Sequence, residues 1–154
     1  MSRSKYFLFA FFCLVALASC KQIDVFEQNI NIPNKKWEAG LVANSSFNIK
    51  ENGLYKISLV LRHTDAYEYN NIWLDVGLQE GVEKMNFIKS NFQLSNDAFG
   101  WDGVGMNDIW EVRKDIKIMR LKKGMFKTSI HQIMRQNPLL HVMNVGIRVE
   151  KIGA

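Results

Sequence analysis

Hydrophobic and polar residues alternate along most of this chain, and no long stretch repeats its apolar positions at helical spacing. The clearest alternation covers residues 54–62. Tyr55, Ile57, Leu59 and Leu61 share one face, with Lys56, Ser58 and Arg62 on the other. That is the signature of a half-buried antiparallel strand. Ile72, Leu74, Val76 and Leu78 then define a second inward face, with Asn71, Trp73, Asp75 and Gly77 outward. Between the two runs lies a polar, aromatic segment, residues 63–70. Residues 54–76 therefore read as a hairpin around which the rest of the chain is organised.

Weaker alternation surrounds this pair. Residues 23–27 suit a first short strand or a tether. Residues 29–36, rich in Asn and holding Pro33, read as a linker turn. Short strands are expected at 37–42, 46–49 and 84–94, and Glu51-Asn52-Gly53 reads as a hairpin turn. Residues 95–107 form a loop with Gly100, Gly103 and Gly105 around Trp101. Residues 108–113 and 115–121 read as two strand pieces kinked at Lys114, and Lys122-Lys123-Gly124 as a turn. Residues 125–134 and 139–152 complete the set, separated by Gln136-Asn137-Pro138. In the last strand His141, Met143, Val145, Ile147 and Val149 face one way, so His141 reads as a core histidine. His131 lies with Lys127 and Ser129 on a polar face, and Met134-Arg135 ends its strand. Gly53-Leu-Tyr-Lys-Ile-Ser58 is echoed by Gly124-Met-Phe-Lys-Thr-Ser129, two glycine turns entering alternating strands. Short strands with regular turns predict an all-β fold: an antiparallel β-sandwich, jelly-roll-like, over residues 37–154.

The N-terminus departs from this pattern. Ser2–Lys5 is basic, and Tyr6–Val15 is an unbroken apolar run extended by Ala16 and Leu17. It is too short for a spanning helix and has the size of a signal-peptide core. It ends in Leu17-Ala18-Ser19-Cys20, an aliphatic residue and two small ones before a cysteine, as in a bacterial lipobox. A plain secretory signal with a chance cysteine fits less well, because charge, apolar length, small residues and cysteine fall in lipobox order. Residues 1–19 are thus read as a removed signal peptide and Cys20 as the lipid-bearing residue. Residues 20–36 are its tether or first short strand. Two or more acyl chains give stable anchoring where one does not. The second cysteine, Cys13, falls in the removed segment, so no structural disulfide is expected.

Composition adds limits. The chain has 154 residues, which suits one globular domain. Its formal net charge is +5, and losing Arg3 and Lys5 with the signal leaves +3. Basic residues alternate with acids in no dense run, which argues against a nucleic-acid partner.

Several motifs taken in order carry a family resemblance. They are Tyr55-Lys-Ile-Ser-Leu-Val-Leu-Arg-His63, Tyr67-Glu-Tyr-Asn-Asn-Ile-Trp-Leu74, Gly100-Trp-Asp-Gly-Val-Gly105, Asp108-Ile-Trp110, Met134-Arg135 and Asn144-Val-Gly-Ile-Arg-Val-Glu150. With the lipobox they resemble the gliding-motility lipoprotein GldH family of Bacteroidetes over essentially the whole mature chain. The resemblance implies an envelope lipoprotein associated with gliding and not an enzyme, with other envelope or motility proteins as partners. It implies lipid attachment at Cys20 and transfers no ligand or catalytic residue. The expected function is that of a membrane-anchored, non-catalytic accessory of the gliding machinery acting through protein contacts. The outer membrane is favoured over the inner, with the facing side left open. The alternative is a carbohydrate-binding module of the cell envelope.

The candidate partner or glycan surface is Arg62, Tyr67, Tyr69, Asn71 and Trp73, with Trp101 added if the loops meet. Aromatic faces stack, and amides and a guanidinium give directional bonds. The competing reading is a loop pinned by its own side chains. Trp73, Trp101 and Trp110 could form one platform if they converge. The Gly100–Gly105 glycines lack the lysine and following helix of a phosphate loop. His63, His131 and His141 fit no zinc spacing. Asn96, Asp97, Asp102, Asn107 and Asp108 offer oxygens for calcium but match no EF-hand. No Gly-x-Ser-x-Gly elbow occurs and no thiol stays free after lipidation, so neither catalysis, metal nor cofactor is expected. Replacing the lipid-bearing thiol (Cys20→Ala) should leave the fold intact and abolish membrane fractionation and motility. Cell fractionation with immunoblotting checks this, and a variant still found in the membrane would refute the lipid assignment.

Overall fold

The computed structural model describes residues 25–154 except Asp97 and Phe99, so the signal segment and Cys20 lie outside the described residues. In chain order the strands are β1 (Val25–Asn31), β2 (Lys36–Trp37), β3 (Ala43–Ile49), β4 (Gly53–Thr64), β5 (Asn71–Glu80), β6 (Asn86–Gln93) and β7 (Ser95–Asn96). They continue with β8 (Gly100–Trp101), β9 (Val104–Met106), β10 (Ile109–Leu121), β11 (Gly124–Gln132), β12 (Leu139–Leu140) and β13 (Val142–Gly153). One 3₁₀ turn, Pro33–Lys35, follows β1.

Two antiparallel sheets hold the long strands. The first runs β1-β13-β4-β10-β9 and the second β3-β11-β5-β6. Taking the eight principal strands in order, the chain changes sheet at every step except β5 to β6. That connectivity is a jelly roll, as the alternation predicts. The inward residues of both sheets make one core. Tyr55, Ile57, Leu59 and Leu61 of β4 face Ile72, Leu74 and Val76 of β5, with Phe47, Phe126, Ile130, Val145 and Ile147 around them. Phe26, Phe47 and Phe126 stack successively across it at 5.2 and 5.5 Å.

The segment 54–76 is not a hairpin. β4 pairs with β13 and β10, whereas β5 pairs with β11 and β6, so the two strands lie in opposite sheets. Alternation reports which face is buried and is the same for a hairpin and for an arch between sheets. The Asn52-Gly53 turn is likewise an arch from β3 to β4, and Lys122-Lys123 an arch from β10 to β11. The two arches lie side by side, since β3 pairs with β11 and β4 with β10. Asn52 Oδ1 accepts the Lys123 N–H at 2.7 Å and ties them. The sequence echo at Gly53 and Gly124 thus marks two equivalent entries from arch into sheet.

Smaller departures have local causes. The two strand pieces expected around Lys114 are one strand, β10, with a bulge between Asp115 and Lys117. An extra residue flips the side-chain phase, which reads in the sequence as a break. The 37–42 strand is mostly loop, wrapped around a fully buried Trp37 whose Nε1–H donates to Leu41 O at 2.8 Å. The expected 29–36 linker begins later, because β1 runs to Asn31 against β13. His141, at φ +68, separates β12 from β13 and is only half-buried, so it is not the core histidine.

Gly146 shows how closely β1 is held. It lies between Asn29 of β1 and Val60 of β4. A Cβ there would stand 2.1 Å from the Gln28 carbonyl oxygen. Gly146→Ala should destabilise the fold by ~1–3 kcal/mol through overpacking and loosen β1 first. Urea denaturation with limited proteolysis of the first strand measures both. An unchanged midpoint would contradict this packing.

Candidate functional site

The six candidate residues separate into three places, because an arch sends its two strands to opposite sheets. Tyr67 and Trp101 close one end of the sandwich. Asn71 and Trp73 belong to the second sheet, and Tyr69 lies just before it. Arg62 stands on the outer face of the first.

The closed end is built from β4 outward. His63 continues the odd-numbered inward series after Leu61 and is fully buried, not part of a polar loop. Its ring lies 4.5 Å from that of Trp101 and 5.4 Å from that of Tyr67. Tyr67 is 3 % exposed, donates its hydroxyl to Asn71 O at 3.0 Å and meets Tyr69 edge-on at 5.7 Å. Burial, and secondarily Tyr69, raises the Tyr67 phenol well above its ordinary range. Its ring therefore plugs the gap that the β4–β5 arch spans. His63 Nδ1 bonds the Thr64 carbonyl oxygen at 2.8 Å, which assigns the proton to Nδ1, while Nε2 is buried without a protein partner. Burial pushes the His63 pKa down, against a smaller upward pull from the Thr64 carbonyl.

On the second sheet, Trp73 is outward and 44 % exposed. Tyr69, Asn71 and Trp73 line a depression of about 610 Å³ with Ile133, Arg135 and Gln136. The rim is fixed by backbone: Ile133 N–H donates to Trp73 O at 3.0 Å, and buried Gln132 accepts the Met134 N–H at 2.9 Å. Asn71 is oriented by its bond to Asn91 Oδ1, 2.8 Å. An exposed indole beside amides and a guanidinium can stack on a flat or apolar group and bond its edges. Arg135 and Gln136, which follow a strand end in the sequence, join the site only because β11 runs beside β5.

Arg62 belongs to a charged network across the first sheet. It binds Glu111 at 2.6 Å, Glu111 binds Arg113 at 2.9 Å, and Arg113 reaches Glu27 of β1 at 3.6 Å. Glu27 also accepts from Arg148 at 3.0 Å. Burial opposes the Glu27 charge, but Arg148, Arg113 and Asn29 outweigh it and hold that carboxyl below its usual range. Beside this network a groove of about 680 Å³ runs between Arg62, Asn144 and the exposed Val104 and Met106 of β9.

The three tryptophans do not form a platform. Trp101 packs on His63 and Tyr67, Trp110 covers Gly105, and Trp73 lies on the second sheet's outer face. Among the loop oxygens considered for calcium, Asp102 is bound to Lys114 at 2.6 Å. Asp97 lies outside the described residues. Among the described residues, no group of three or more His, Cys, Asp or Glu is arranged to hold a metal ion.

Fold and surfaces together define the class: a jelly-roll β-sandwich whose open features are shallow depressions on its two outer faces. The family model described as GldH lipoprotein matches residues 24–149, and the chain belongs to that family. A gliding motility lipoprotein GldH homolog from Christiangramia forsetii is 25 % identical over 97 % of this chain and 98 % of its own length. Membership of a lipoprotein family supports a membrane-anchored position in the cell envelope. Among solved structures, a protein from Sulfurospirillum deleyianum aligns at TM-score 0.44 and 12 % identity, covering 82 % of this chain and 98 % of its own. A family 35 carbohydrate binding module from Clostridium thermocellum aligns at 0.38 and 12 %, covering 80 % and 91 %.

His63 carries a pH prediction. Its folded pKa lies below the ordinary 6.5, so below that pH the unfolded chain takes up the proton more readily. Stability should be fully present above about pH 6.5 and decline as pH falls from there through the folded-state pKa. Urea midpoints measured from pH 7.5 to 5 should show the decline, and His63→Phe, which keeps the ring and removes the titration, should flatten that part of the profile. A parent protein with the same slope as His63→Phe would refute it.

Proposed function

We propose that the protein is a non-catalytic accessory lipoprotein of the gliding-motility machinery. It is held at the membrane, with the outer membrane favoured, by acylated Cys20 and acts through protein contacts made by the sandwich. Family membership over nearly the whole described domain carries this reading, together with the likeness to a curated gliding homolog. The Trp73 depression supplies the contact chemistry. Tryptophan, tyrosine and arginine are the side chains that most often dominate protein interfaces, and Tyr69, Trp73 and Arg135 stand together there.

A second reading rests on the same depression. An exposed indole flanked by the Asn71 and Gln136 amides also suits a sugar ring, with stacking on one face and hydrogen bonds at the rim. The two readings separate experimentally. Crosslinking in intact envelopes followed by purification should capture a defined envelope protein, and Trp73→Ala should weaken that capture by ~10-fold or more. A glycan array probed with the solubilised lipoprotein should then be blank. Array binding lost in Trp73→Ala, with no protein captured, would favour the sugar reading instead. Motility unchanged on deletion of the gene would refute the gliding assignment.

A further inference from the structure

The geometry points to a membrane-docking face at the pole of the sandwich where the two arches lie. This pole rests on the phosphate-bearing headgroup layer of the leaflet that holds the lipid anchor. The inference builds on the reading of Cys20 as the lipidated residue and adds an orientation and a surface to it.

Strand register shows where the chain enters. Val25 pairs with Glu150, Glu150 with Lys56, and Lys56 with Ile118, so these four form one row across the first sheet. β1 is antiparallel to β13. The start of β1 therefore lies at the end toward which β13 runs to Gly153, which is the end of the arches. The row of Gly53 and Leu121 lies only three β4 residues further on, ~10 Å at the rise of a strand. Cys20 is five residues before Val25, a reach of ~17 Å at full extension. A lipid within that reach allows the arches to come within about a Debye length of the headgroups, ~8 Å at physiological salt.

The surface brought to that distance is chemically suited to it. Residues 50–56, 80–84, 117–125 and 150–154 hold eight Lys or Arg against four Glu. Two of those acids are paired within the pole, Glu51 with Lys151 at 2.5 Å and Glu150 with Lys56 at 3.6 Å, which leaves six cations against Glu80 and Glu83. Lys117, Arg120, Lys122 and Lys123 are exposed. The whole mature chain carries only +3, so its positive excess is concentrated here. Apolar side chains protrude among these cations. Ile118, Met125 and Ile152 are 54, 52 and 44 % exposed, and Val82, at the β5–β6 turn, is fully exposed. Gly81 N–H donates to Met125 O at 2.9 Å, which brings that turn to the same pole. Lysines interspersed with protruding apolar groups are the composition that binds an anionic bilayer interface. The cations meet phosphates while the apolar tips enter the acyl boundary.

The test uses the full lipidated chain in vesicles containing phosphatidylglycerol. With Cys13 removed and Cys20 acylated, an introduced cysteine is the only thiol. Nitroxide labels at Met125→Cys, on the arch pole, and Val104→Cys, toward the opposite end, report accessibility to a water-soluble nickel chelate. The Met125 label should be several-fold less accessible than the Val104 label. Replacing Lys122 and Lys123 together by Glu should remove most of that difference while the protein still floats with the vesicles. Flotation with both labels equally accessible in the parent overturns docking and leaves the anchor standing. A chain that does not float at all overturns the anchor and the docking with it.

Discussion

β4 has neighbours along both of its hydrogen-bonding edges, β13 on one side and β10 on the other, over most of its length. A strand so placed cannot also pair with the segment that follows it. The chain must leave for the facing sheet, and it does so on both sides of β4, through the arch before Gly53 and the one after Thr64. The same necessity recurs at β11, which lies between β3 and β5. Two central strands whose edges are filled by partners distant in sequence, each carrying an apolar inner face, account for the changes of sheet on either side of them.

This accounts for what the sequence discloses and what it conceals. Parity along a strand is a local property, so the buried faces of β4 and β5 and the outward position of Trp73 are legible in the alternation. Sheet membership depends on partners tens of residues away, and a hairpin and an arch leave the same alternating trace. His63 obeys the parity of Tyr55 through Leu61, and only its polar ring disguises it as the start of a loop. His141 falls where positive φ and a bulge near Met143 disturb the phase, so its place in the alternating series misleads. Tyr67 sits in a connection and Trp101 in a two-residue strand, where no period says which way a side chain points. The candidate surface divided for the same reason. A dozen consecutive residues that cross between sheets put Arg62 and Trp73 on opposite outer faces.

The functional picture has a polarity. The lysine-rich arches lie at one end, with the start of β1. The Trp73 depression and the groove beside β9 lie toward the other end, near the aromatic plug of His63, Tyr67 and Trp101. A domain resting on its arches would display these features away from the bilayer, toward other envelope components. In that orientation the sandwich would act as a spacer that sets the height and facing of its contact surfaces.

The register of β1 has a mechanical meaning for such a spacer. All seven residues of this edge strand are paired with β13, and its first residue lies at the end of the sandwich where the arches are. A pull between the anchor and a partner at the far end would load those pairs in shear, all together, instead of peeling them one at a time. Gly146, which lets Gln28 and Asn29 lie flush against β13, would then be a strength-bearing position. The same seven residues that complete the sheet would also transmit force between membrane and machinery.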